Sequence, residues 1–242
     1  MISYTQLQHI QQHPGQAALF EAPLAVDCAV MSYREALALQ EALQKPVGEG
    51  VLPGVMLLVE HPPVITLGIR KPHNRFTATE EQLRAAGIDV VPIRRGGGST
   101  VHNPGQLVIY PVLHLQRSGF RVAPYVHYLE DAGIALLKDL GVSAESRKRY
   151  PGLWVGERKI ASVGVQLSHG VSMHGIALNI CNDLELFSTI VPCGIDGVEM
   201  TSALQEAGSV LPMDQVKTLA CRRYLELLPD AARRSPAEQA HE

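Results

Sequence analysis

Apolar positions recur along this chain with two different periods, and the change of period divides it into helices and strands. Residues 27–44 place Ala29, Ser32, Tyr33, Ala36, Leu37 and Leu43 on one helical face, which predicts a helix stopped by Pro46 and Gly48. Val55–Val59 and Val64–Leu67 are short apolar runs of strand length, with Glu60-His61-Pro62-Pro63 turning the chain between them. Thr79 and Gln82 have capping-box spacing, which predicts a short helix from Thr79 to Ala86 that ends before Gly87. Ile88–Ile93 and Leu107–Val112 read as strands, the second entered through a glycine-rich loop. Pro124–Leu140 reads as a helix with proline in its first turn and Gly141 past its end. Three strands follow at Trp154-Val155, Lys159–Leu167 and Val171–Ile180, with Glu157 and Arg158 at a hairpin tip. In the middle one, Val163, Val165 and Leu167 alternate with Ser162, Gly164 and Gln166. Pro212–Leu228 is the last helix. Residues 1–25, rich in Gln and His, read as a loosely held extension, and residues 229–242 as a frayed tail.

Strands dominate the middle of the chain, with helices early, central and late. The order predicts an α+β class: a single domain over residues 26–228, with a mixed, largely antiparallel sheet and helices packed on it. Nothing in the pattern favours a doubly wound parallel sheet. The chain has 242 residues, 46% of them hydrophobic and 19% charged, which supports one sizeable core and excludes wholesale disorder. Its formal net charge of −3 gives no bulk attraction to nucleic acid. Basic clusters do occur at Arg70-Lys71, Arg94-Arg95 and Arg147-Lys148-Arg149, as solvated patches or as a dock for an acidic partner. No apolar run reaches the ~18 residues of a membrane span, and the first residues do not read as a secretory signal. Cys28, Cys181, Cys193 and Cys221 are far apart with no CxxC pair, so neither zinc nor a disulfide framework is supported. Free thiols in a cytoplasmic chain are the simpler expectation.

The densest unusual segment is Arg94-Arg95-Gly96-Gly97-Gly98-Ser99-Thr100-Val101-His102-Asn103-Pro104-Gly105-Gln106. Its glycines let backbone approach a ligand, and Ser99, Thr100, His102 and Asn103 add polar groups. It lacks the GK[ST] end of a P-loop and the spacing of GxGxxG. By itself it is a tight connection or a cradle for an elongated small molecule. Cys193, in Val191-Pro192-Cys193-Gly194, falls on a turn, where a thiol is more accessible than on the apolar face of an element. A free thiol has a pKa near ~8.5 and needs a neighbouring cation to act as a nucleophile at neutral pH. Lys159 opens a strand whose later residues are apolar or small. It is either exposed at the strand edge or carries a partly buried stem, and spacing alone does not place it beside Cys193.

Three blocks, in order, resemble the octanoyltransferases of lipoate synthesis, in the biotin/lipoate ligase-like superfamily. They are Glu60-His61-Pro62-Pro63-Val64-Ile65-Thr66-Leu67-Gly68; Arg95-Gly96-Gly97 through His102-Asn103-Pro104-Gly105-Gln106-Leu107 to Tyr110-Pro111; and Lys159-Ile160-Ala161-Ser162-Val163-Gly164 through His174-Gly175-Ile176-Ala177-Leu178-Asn179 to Pro192-Cys193-Gly194. The resemblance runs from about Asp27 to about Leu204. It implies transfer of an octanoyl group from octanoyl-acyl carrier protein to a lysine of a lipoyl domain of 2-oxoacid dehydrogenases or of the glycine-cleavage H protein. It implies an acyl-thioester on Cys193, a Lys159 that lowers the thiol pKa, and acyl-binding segments at Arg95–His102 (Arg95, Gly96, Gly97, Gly98, Ser99, Thr100, Val101, His102), Ser162–Gly164 (Ser162, Val163, Gly164) and Gly175–Ala177 (Gly175, Ile176, Ala177). His174 is a supporting residue. No metal, nucleotide or redox cofactor, no nucleic acid and no membrane is implied. Two departures stand out: Asn103 replaces a glycine, and Gly98 makes a third glycine, as in the ATP-using lipoate ligases.

Covalent catalysis would split the transfer so that two protein partners need not be bound together. Backbone N–H groups, with Ser162-Val163-Gly164 the candidate, would hold the tetrahedral oxyanion. Two other readings are open at this level: an ATP-dependent lipoate or biotin ligase, which needs no cysteine, and a non-catalytic binder of lipoyl domains.

Overall fold

The computed structural model describes residues 1–12 and 22–233. Its elements, in chain order, are β1 (Ile2–Ser3), α1 (Tyr4–Gln12), β2 (Leu24–Val30), α2 (Tyr33–Gly48), β3 (Val55–Glu60), β4 (Val64–Leu67), β5 (Arg75–Phe76), α3 (Glu80–Ala85), β6 (Asp89–Pro92), β7 (Ser99–His102), β8 (Gln106–Val112), α4 (Val122–Asp139), β9 (Glu145–Ser146), β10 (Gly152–Val155), β11 (Arg158–Ser168), β12 (Val171–Asn179), β13 (Ile190–Val191), β14 (Glu199–Met200), α5 (Ala203–Ala207) and α6 (Met213–Glu226).

The main sheet runs β1-β2-β3-β8-β12-β11-β10-β9, with β14 beside β11. Pairs β1/β2, β2/β3 and β11/β14 are parallel, and the rest of the path is antiparallel. A small sheet, β6-β4-β7, stands apart, and β5 pairs with β13. The class is therefore the mixed α+β domain that the pattern predicts. Successive residues of one strand point to opposite cores. Met56 and Leu58 join a cluster under α4 and α6, whereas Val55, Leu57 and Val59 join one under α1 and α2. Burial on both faces explains why Val55–Val59 reads as an unbroken apolar run.

The structure corrects several expectations. Residues 1–12 are not loose: β1 pairs with β2, and Leu7 and Ile10 of α1 are buried in the core. Residues 13–21 lie outside the described residues. The predicted helix over 27–44 begins later, because Asp27–Val30 belong to β2 and Ser32 is the helix cap. Ser32 and Glu35 form a capping box, a stronger start signal than the apolar spacing that includes Ala29. Pro46 does not stop α2 either. It sits in the last turn, and the helix runs to Gly48. Ser99–His102, expected as loop, is a strand that completes the small sheet. Of the expected tail, Asp230–Arg233 form a 3-10 turn with Ala232 buried, and residues 234–242 lie outside the described residues.

Lys217 of α6 ties distant segments together. Its ammonium lies 2.9 Å from Asp27 Oδ1 and 3.6 Å from Glu60 Oε1, while Glu60 Oε2 accepts from the Gly105 N–H at 3.0 Å. Lys217 is buried and both carboxylates are only partly exposed, so removing the ammonium strands two charges. Lys217→Ala is expected to lower unfolding free energy by about 2–4 kcal/mol, read as a urea-midpoint shift; a shift within experimental error would show the pair to be energetically idle.

Candidate active site

A buried ammonium faces a thiol here. Lys159 lies at the start of β11, opposite Trp154 of β10. Its side chain is 1% exposed, and Nζ donates to Pro151 O at 3.2 Å and lies 3.4 Å from Cys193 Sγ. It also sits over the Trp154 ring, 5.4 Å from the centroid. No carboxylate pairs with it among the described residues. Room for its stem comes from Gly152 (φ 124°): a Cβ there would fall 2.2 Å from Ala161 O and 3.0 Å from Lys159 Cε. Glu130 of α4 holds this backbone by accepting from the Gly152 N–H at 2.9 Å.

Cys193 sits in a 3-10 turn, Pro192–Gly194, with φ 55° and ψ 14°. That left-handed conformation costs a non-glycine residue about 1 kcal/mol or more, and such strain gathers at functional sites. His73 holds the turn, its Nδ1 donating to Cys193 O at 3.0 Å. His73 also accounts for two glycines. A Cβ on Gly194 would lie 2.7 Å from His73 Cβ, and one on Gly98 only 2.4 Å from it. The third glycine of the loop is thus required by packing against His73.

Beside the pair lies a slot of about 420 Å³ that is open to solvent on one side. Of the predicted binding residues, Arg95, Gly97, Thr100, His102, Ser162, Val163, Gly164, Gly175, Ile176 and Ala177 line it, together with His174 and Cys193. Gly96, Gly98, Ser99 and Val101 do not. Strand alternation in β7 turns Thr100 and His102 to the slot and buries Val101 in the small core. Ser99 Oγ instead lies 3.3 Å from both His73 O and Val191 O, next to the cysteine turn. Gly96 N–H bonds Val165 O and so docks the loop on β11. β10 pairs with β11 only as far as Ser162 and the loop takes up the edge at Val165, so Val163 and Gly164, between the two, line the slot.

Arg95 is buried, with no carboxylate partner among the described residues. Its guanidinium donates to Gly96 O, Gly98 O, Thr66 O and Thr66 Oγ1 at 2.8–3.0 Å, and burial lowers its pKa. Asn103, the departure from glycine, bridges the loop to the end of β12: it donates to Asp183 O at 2.7 Å and accepts from Asn182 Nδ2 at 3.0 Å. Gln106 joins that network to His102 Nδ1 and Asn179 Oδ1.

The other cysteines are not placed for chemistry here. Cys28 is a buried residue of β2, not of a helix, and burial pushes its thiol up to about 12. Cys181 follows β12, and Cys221 is on α6. Sequence reasoning missed Tyr33, Val108 and Tyr110 as lining residues and His73 as the support of the turn. Among the described residues no three His, Cys, Asp or Glu side chains are grouped to hold a metal ion, and no helix is long and apolar enough to cross a membrane.

This architecture is the lipoate protein ligase fold. It superposes on lipoate-protein ligase A bound with ATP with a TM-score of 0.69 at 16% identity, covering 90% of this chain and 93% of that one. It superposes equally on a bipartite lipoate protein ligase from Thermoplasma acidophilum, with a TM-score of 0.69 at 17% identity over 90% and 91% of the two chains. The sequence goes further. The model of the lipoyl protein ligase A/B catalytic domain matches residues 32–224. An octanoyltransferase of Desulfovibrio desulfuricans is 40% identical over 209 residues, 86% of this chain and 88% of the relative. One from Syntrophotalea carbinolica is 45% identical over 202 residues, 84% and 92%. A mitochondrial octanoyltransferase of Arabidopsis thaliana is 38% identical over 187 residues, 77% and 80%. The chain belongs to the octanoyltransferase family of acyltransferases.

Proposed function

We propose that this enzyme moves an octanoyl group from octanoyl-acyl carrier protein to a lysine of a lipoyl domain through a thioester on Cys193. One observation carries the reading: Lys159 Nζ, paired with no carboxylate among the described residues, lies 3.4 Å from the Sγ of Cys193, which lines the slot. A buried ammonium stabilises a neighbouring thiolate by charge and by hydrogen bonding. The thiolate attacks the thioester carbonyl, and backbone N–H groups of Ser162-Val163-Gly164 hold the oxyanion. As the tetrahedral intermediate collapses, the bond to the carrier's sulfur breaks and Lys159 protonates that sulfur. In the second half, the acceptor amine attacks the Cys193 thioester. Lys159 takes the proton released from nitrogen, and the cysteine leaves as the thiolate paired again with the ammonium. Thioester exchange is nearly balanced, whereas amide formation runs downhill.

The charges around the mouth support an acidic carrier as donor. Arg70 and Lys71 are exposed and precede His73, which touches the cysteine turn; Lys148 and Arg149 are exposed and precede Pro151, which touches Lys159. Both basic segments thus flank the reacting pair on a chain whose net charge is −3.

Intact mass tests the reading. Incubation with octanoyl-acyl carrier protein and no nucleotide is expected to add one octanoyl group to the wild-type chain and none to Cys193→Ser. A wild-type chain that stays unmodified until ATP and a free fatty acid are supplied would instead identify an adenylating ligase.

A further inference from the structure

The inner end of the slot is unusually polar for an acyl site. Tyr33, His102, Tyr110 and His174 meet there, with His61 behind them. Tyr33 stacks on His102 with 5.6 Å between centroids, and His61 Nε2 lies 2.9 Å from Tyr110 Oη. His174 has φ 58°, a left-handed residue within a β-strand, and its N–H donates to the buried Gln40 Oε1 at 2.7 Å. A residue held this way has little freedom to turn its ring elsewhere.

The hydrogen bonds decide which ring nitrogen of His174 carries the proton. Tyr33 Oη lies 3.3 Å from Nδ1, its one hydrogen-bond partner among the described residues. If Nδ1 donated, both the Tyr33 hydroxyl proton and Nε2 would be left without partners. If the hydroxyl donates, only Nε2–H is left over, so the second arrangement is favoured. Burial holds the tyrosine proton in place and pushes the His174 pKa down to about 3, so the ring is neutral at pH 7. Nε2 is buried with no acceptor among the described residues, and the residue lines the slot; Thr100 Oγ1, also on the slot wall, is likewise without a partner among them.

Strand β7 sets a length scale between the cysteine turn and these groups. Strand β7 starts at Ser99, which touches Val191 O beside the cysteine turn, and ends at His102, stacked on Tyr33. Three strand steps cover about 10 Å. An extended eight-carbon acyl chain spans about 9 Å, from bond lengths of ~1.5 Å at tetrahedral angles.

We infer that the inner end of the slot is a polar stop that fixes acyl length, with the Nε2–H of His174 as its donor. The inference rests on the thioester reading above. An eight-carbon chain ends at the stop and leaves the donor to a water molecule. A ninth carbon displaces that water and leaves the N–H without an acceptor, whereas an oxygen in the same position accepts from it.

Nonanoyl and 8-hydroxyoctanoyl groups have equal chain lengths and differ at that one atom. The test is competitive acylation of Cys193 by octanoyl-, nonanoyl- and 8-hydroxyoctanoyl-acyl carrier protein, read by intact mass. The wild type is expected to take octanoyl and 8-hydroxyoctanoyl over nonanoyl by roughly tenfold or more. Tyr33→Phe, which unpins the tautomer and keeps the ring packing, is expected to reduce the 8-hydroxyoctanoyl preference several-fold. His174→Asn, a residue that tolerates positive φ, is expected to withdraw the stop and admit nonanoyl as readily as octanoyl. Equal wild-type use of nonanoyl and 8-hydroxyoctanoyl overturns the inference, as do wild-type ratios in both variants. Absence of every adduct from wild-type Cys193 overturns the thioester reading itself, and the stop with it.

Discussion

Lys159→Met is expected to slow octanoyl transfer by about 10²–10⁴-fold, the usual contribution of a positioned proton donor and acceptor, while the folded chain becomes no less stable. The two halves of this expectation have one cause. Lys159 is a cation in a 1% exposed position whose partners are a carbonyl, a thiol and the face of Trp154. A buried charge without a counter-charge costs free energy, and methionine fills nearly the same volume without it. Lys217 is the contrasting case, since its two carboxylates make removal of its ammonium destabilising. Transfer rates, thermal melting and iodoacetamide alkylation of Cys193 at pH 7 would be compared with wild type. If Lys159→Met melts several degrees lower while Cys193 alkylates at the wild-type rate, the lysine is a structural residue and its assigned role fails.

Acid should unfold this protein from an unusually high pH. Burial pushes His61 from 6.5 down to about 4 and His174 from 6.5 down to about 3, and it lowers His102 as well. The unfolded chain therefore takes up protons on these rings below pH 6.5, whereas the folded chain does not until near pH 4. Stability is intact above 6.5 and is lost as pH falls through the window between the two sets of values. By pH 5, His61 and His174 together account for on the order of 4 kcal/mol. The carboxylates held low by arginines, such as Asp139 and Glu206, act only below their unfolded values of 3.8 and 4.5, so the decline from 6.5 to 5 belongs to the histidines. Urea midpoints at pH 7, 6 and 5 measure it. A flat profile across that range would mean that the rings are charged in the folded state or relieved of burial by local opening.

Much of the framework is legible one residue after another. The 152–180 hairpins follow from alternation, although the first tip falls at Gly156-Glu157 and not at Glu157-Arg158, because Gly156 takes the positive φ of the turn and Arg158 already pairs with Val155. The cap of α3 is visible in Thr79 and Gln82. Cys193 is legible as a turn residue from its proline and glycine neighbours. The misreadings cluster where local pattern and tertiary demand disagree. Asp27–Val30 fits a helix by composition and becomes a strand because β3 offers it a parallel edge. Ser99–His102 looks like loop and becomes a strand because β4 pairs with it. Residues 2–12 lack a strong apolar run, yet Leu7 and Ile10 suffice to bury one face of α1.

By itself the sequence determined the helices and strands whose periodicity is strong, the turn that carries Cys193, and the glycines that permit close approach along the loop, because these depend on neighbours within a few positions. Only the tertiary structure decided that Lys159 and Cys193, 34 positions apart, share a hydrogen bond, that His73 braces the turn, and that Tyr33 and His174 meet on the slot wall. Those contacts join segments separated by 34 to 141 positions, and their geometry is set by sheet order and register, which no local run of residues encodes.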